Sequence, residues 1–232
     1  MGERPKLWLL SAGLLAVAAV LVGVAAASYW QPCVADWPEF SQACLVAMDE
    51  SSGFPLPVGT WTVVGALGLI ATLTLAVAWL VLLPTMPLSR WGRVVAVLPA
   101  AAVVAVAISA VMSTFDPTGD WLPSWLYLAV DLAAVPAVFA LANSGVAGAL
   151  LVRYVVVALA STAVGLVHQL ADYIASLSMS TANWDTPPGS GLFTAAALLV
   201  AAVATAILWR AQGNPSRRPT ADATAPAITT TM

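Results

Sequence analysis

Charge is what this 232-residue chain has least of: 8% of its residues are Asp, Glu, Lys or Arg, against about 25% in soluble domains. Lysine is reduced to Lys6 and histidine to His168. With 61% hydrophobic residues and a mean hydropathy of +0.92, a water-soluble fold is excluded, and lipid is the solvent for most of the chain. Two cysteines and one distant histidine do not make the four well-spaced ligands of a zinc site. Dithiol exchange is disfavoured as well, because the cysteines are not a CxxC pair and no second pair exists to pass electrons onward. There is no GxSxG, no HExxH, no phosphate-binding glycine loop and no arginine cluster facing acids, so the chain leans away from enzymes and implies no cofactor. Its small basic surface excludes nucleic acid as a partner.

What is present is apolar length. Crossing a hydrocarbon core of about 30 Å takes roughly 20 helical residues. Six runs meet that need, at 8–28, 61–83, 94–112, 121–141, 152–173 and 191–209. None alternates strongly enough to suggest a membrane β-barrel, and backbone groups in lipid must satisfy one another, so all six are read as helices. The first is expected to be retained despite the small residues "AAAS" at 25–28. Its apolar stretch exceeds the roughly 7–15 residues of a signal peptide. No internal repeat is visible, and alanine, glycine and serine are spread around the helices.

Along a six-helix path every basic residue falls on one side: Arg4, Lys6, Arg90, Arg93, Arg153, Arg210, Arg217 and Arg218. The other side carries acids and no lysine or arginine. The positive-inside rule then places both termini in the cytoplasm of a plasma-membrane protein, with a composition that suggests a bacterial source. The expected organisation is a transmembrane domain over 1–210, including an outer loop at 30–60, and a disordered cytoplasmic tail at 211–232.

The outer loop holds both cysteines. Asp36, Pro38 and Glu39 read as a helix start, and Trp37, Phe40, Cys44 and Met48 then recur at spacings of three and four, predicting a short amphipathic helix. Outside the cytoplasm disulfides persist, so Cys33 and Cys44 are expected to form a structural bridge.

Asp131 is the carboxylate well inside a span, about 15 Å below Trp121 at the helical rise. Such a group is costly in lipid and faces the bundle interior, either as an ion, proton or ligand site or as a tie to a hydroxyl such as Thr72, Thr74 or Thr162. His168 falls in the outer leaflet, with Asp172 one turn on along the same helical face and positioned to hold the ring in one tautomer. With Asp120 these residues outline a candidate polar vestibule, although direct contact between His168 and the deeper Asp131 is not implied.

The expectation is a non-enzymatic membrane component, an accessory or scaffolding subunit among lipids and other integral membrane proteins. The alternatives are a small cation- or proton-coupled carrier or channel using Asp131, and a membrane enzyme acting on lipid or quinone.

Overall fold

Apolar runs become helices here because backbone N–H and C=O groups in hydrocarbon have no partners but their own. The computed structural model describes residues 5–35, 41–50, 56, 61–121, 123–179 and 187–212. In chain order the helices are α1 (Pro5–Tyr29), α2 (Gln31–Ala35), α3 (Gln42–Glu50), α4 (Val63–Leu80), α5 (Arg90–Phe115), α6 (Ser124–Ala142), α7 (Gly148–Ser161), α8 (Leu166–Met179) and α9 (Leu192–Gln212). Hydroxyl caps start two of the long ones. Thr62 accepts from the Gly65 N–H at 2.9 Å ahead of α4, and Ser89 accepts from Gly92 at 3.1 Å ahead of α5.

Among the described residues, four helical stretches are each long and apolar enough to cross a membrane: Pro5–Tyr29, Val63–Thr85, Arg90–Phe115 and Ser124–Ala142. The protein is therefore a multi-pass helical membrane protein. The fifth expected span is corrected. Instead of one helix over 152–173, α7 and α8 meet at a break with a 77° bend, and only together do they have the length and apolarity of a span. In α9 the apolar part, Leu192–Leu208, is shorter than the four long helices.

α1 is central, packed along α4 and α9, while α5 pairs with α6. Its buried face is mostly small, with Ser11, Ala12, Ala18, Ala19, Ala25 and Ala26, and its exposed face carries Leu9, Leu10, Val17, Val20 and Val24. The small residues of α1 are thus concentrated at its contacts, more than their even spread along the sequence implies. Lipid offers no hydrophobic drive between helices, so close backbone approach and dispersion replace it. The Ser11 hydroxyl donates to Ala78 O at 2.8 Å, tying α1 to α4, and the Trp79 indole donates to Ala96 O at 2.6 Å, tying α4 to α5.

One basic residue read only for topology turns out to be core. Arg153 is fully buried, its guanidinium 4.3 Å from the centre of the Trp8 ring. Trp8 in turn lies 5.0 Å from the Tyr154 ring, and the Tyr154 hydroxyl pairs with Thr85 at 2.8 Å. A guanidinium is tolerated at such a site because an aromatic face supplies electrostatic attraction that lipid cannot.

The expected bridge is present: Cys33 on α2 and Cys44 on α3 form a disulfide with Cα atoms 4.7 Å apart. The loop helix itself is shorter than its sequence pattern suggests. Ser41, not Asp36, caps α3, accepting from the Cys44 N–H at 3.3 Å, while the expected start at Asp36 and the aromatics Trp37 and Phe40 lie outside the described residues. Cys44 and Met48 do occupy its buried face, packed with Trp30 and Ala26. Tyr29, the last residue of α1, donates to Ala47 O at 2.7 Å and Trp30 to Ser190 O at 2.8 Å, so α3 is fastened to α1, and the end of α1 to the turn before α9.

Candidate functional site

The site grows from the break between α7 and α8. At residues 162–165 the chain tightens into three-residue turns: Thr162 N bonds Leu159 O at 3.2 Å, Ala163 N bonds Ala160 O at 3.2 Å, and Gly165 N bonds Thr162 O at 2.8 Å. The Gln169 side chain donates to Val164 O at 2.9 Å. Non-helical backbone at membrane depth is tolerated where protein satisfies it in this way.

A helix that restarts inside the bundle exposes free amide donors and the positive end of its dipole. Asp131 meets both. Its Oδ2 accepts from the Val167 N–H at 2.8 Å, so a carboxylate from α6 caps α8 across 36 residues of sequence. The side chain is 13% exposed and faces the bundle, about 10 Å below the first residue of α6 at the helical rise. Gly165 is the residue that permits this approach, because a Cβ there would overlap the Asp131 carboxyl group.

The expected hydroxyl partners of Asp131 are corrected. Thr72 donates to Gly68 O, Thr74 to Ile70 O, and Thr162 to Ala158 O and Leu159 O, each within its own helix. The histidine reading also changes. His168, which sequence spacing did not bring to Asp131, has its Nδ1 3.9 Å from Asp131 Oδ1. The break before α8 is where the chain meets Asp131, through the Val167 amide and the approach of His168.

Asp172 does not hold the imidazole. It is 4% exposed, and its oxygens accept from Gly191 N at 2.5 Å, Thr194 N at 2.8 Å and the Thr194 hydroxyl at 3.1 Å. These are the donors at the start of α9, and Gly191 presents its amide from a backbone with φ of +92°, a conformation that favours glycine. Two intramembrane carboxylates therefore form a chain of caps, α6 onto α8 and α8 onto α9. His168, Asp172 and Ser176 lie toward the protein, whereas Leu166, Val167, Leu170 and Ile174 are exposed, the reverse of an amphipathic helix in water.

Asp120 stands apart, exposed in the turn before α6 and joined to none of these groups by a hydrogen bond or ion pair among the described residues. Its neighbour Asp116 organises that turn. Asp116 accepts from the Thr118 hydroxyl at 2.7 Å and the Trp121 indole at 3.1 Å, and these bonds, Thr118 first, hold its carboxyl below the ordinary carboxylate range.

Beside His168 lies a groove of about 290 Å³ between α7 and α9, lined by alanines, valines and leucines with Thr194 as its other polar wall. Among the described residues no three of His, Cys, Asp and Glu converge as metal ligands do. No protein-family model matches the chain, and neither a curated protein nor a solved structure matches it.

Proposed function

We propose that this protein is a non-enzymatic accessory subunit of a larger complex in the plasma membrane. In this reading the chain crosses six times, with α7 and α8 as one interrupted crossing and α9 as the last, and both termini are cytoplasmic. The basic side chains Lys6, Arg90 and Arg93, exposed near the same ends of α1 and α5, support that orientation. The observation that carries the functional reading is the engagement of Asp131 and Asp172 as helix caps, which accounts for both intramembrane carboxylates architecturally. Other integral membrane proteins are then the partners, met through the lipid-facing side chains of the long helices.

The second reading, a cation- or proton-coupled carrier, is favoured by the Asp131–His168 approach of 3.9 Å at a helix break. Discontinuous helices are a recurrent way to place ion sites near the midplane. Asp131→Asn separates the two, since it removes the charge and keeps an oxygen for the Val167 amide. The accessory reading expects the parent protein to migrate from native membranes in a complex of fixed stoichiometry, and the variant to assemble equally without change in proteoliposome cation or proton flux. Flux lost in the variant with assembly intact, or a parent chain that migrates alone, overturns it in favour of the carrier.

A further inference from the structure

His168 is the ionisable side chain lining the groove between α7 and α9, and its ring is asymmetric in its surroundings. Nδ1 is shut away without a hydrogen bond, on the side of Asp131 Oδ1. The side chain is nevertheless 26% exposed, and with Nδ1 shut away Nε2 is the ring nitrogen left to meet a ligand. The negative end of the Asp131 carboxyl group, 3.9 Å from Nδ1, electrostatically favours the tautomer with its proton on Nδ1, which leaves Nε2 as a hydrogen-bond acceptor. That acceptor opens on a groove whose walls include Ala160, Ala163, Ala197 and Ala201, and whose rim residues Leu159 and Val200 are exposed on the lipid-facing surface.

The dimensions limit what enters. A volume of about 290 Å³ lies at the small end of ligand sites, which run from roughly 300 Å³ upward. A partner helix about 10 Å across does not fit. An apolar lining that opens to hydrocarbon takes a chain, and an imidazole acceptor at its polar end takes a donor. We propose that the groove binds a hydroxyl-headed, single-chain lipid whose O–H donates to His168 Nε2. The proposal does not depend on the accessory reading.

The test uses the full chain in phosphatidylcholine nanodiscs and two photoactivatable probes: a long-chain primary alcohol with a diazirine near its hydroxyl, and the methyl ether of the same compound. The alcohol is expected to label α7 or α9 beside the groove about fivefold more than the ether, the worth of one hydrogen bond. Unlabelled alcohol should compete and unlabelled ether should not. His168→Phe should erase the preference while chain labelling continues, and Ala201→Phe, which fills the groove, should remove labelling by both probes. Equal labelling of the parent protein by alcohol and ether overturns the proposal, as does a preference that survives in His168→Phe. If a variant does not fold, the competition on the parent protein decides by itself.

Discussion

Gly165 and Asp131 show how much one missing side chain decides. A methyl group at 165 occupies the space of the Asp131 carboxyl, so Gly165→Ala must displace the cap of α8 or the turn before it. The expected cost is that of overpacking, about 1–3 kcal/mol, read as a lower thermal unfolding midpoint in detergent. Gly13 is the control: it is exposed in α1, a Cβ there meets nothing within 4 Å, and Gly13→Ala should be neutral or stabilising by up to about 1 kcal/mol. Equal midpoints for the two variants count against a tight Asp131–Gly165 approach. Asp116 makes a second residue-scale prediction. Its folded-state carboxyl is held below the ordinary value, so the stabilisation it gives the turn is present above the unfolded pKa and is lost as pH falls through the lower, folded one. The Trp121 indole N–H resonance should therefore stay constant from neutral pH to about pH 4 and move only below it. The transition should vanish in Asp116→Asn; if it persists there, another group causes it.

Among the elements, α8 carries the fold's least local decisions. A straight fifth helix is what the apolar run over 152–173 predicts, and composition gives no reason to divide it. The weak signal was Gly165 followed by His168, Gln169 and Asp172, a polar face where a lipid-exposed helix has no use for one. The tie that makes a break stable, Asp131 to the Val167 amide, spans 36 positions and leaves no periodic trace. The pair α2 and α3 is different, because the expected compartment and the spacing together pointed to its bridge before geometry did. Cys33 and Cys44 are separated by 11 residues, and closing a loop of about that size is worth on the order of 3 kcal/mol in the chain-entropy account. Replacing both by serine should lower the thermal midpoint and abolish its sensitivity to reductant. A double variant as stable as the oxidised parent would leave the bridge without a stabilising role.

For the whole molecule, six crossings require that the α8–α9 connection and the C-terminus lie on opposite sides of the membrane. A cysteine introduced at Ser178, which is exposed near the end of α8, should react with an impermeant maleimide from outside the cell, whereas a tag after Met232 should become accessible only on permeabilisation. Both accessible from one side would rule out six crossings. The sequence by itself determined the solvent, the helical class, four of the spans and the disulfide, since each follows from composition, from run length against bilayer thickness, or from the cysteines of the loop between the first two spans. It also marked Asp131, His168 and Asp172 as groups that lipid makes expensive. Only the tertiary structure decided what each of them does: Asp131 caps α8 and approaches His168, Asp172 caps α9, and Arg153 lies under Trp8. The physical reason is that burial cost is a property of a residue and its depth, whereas the partner that offsets the cost comes from another helix, brought near by small-residue packing rather than by any pattern along the chain.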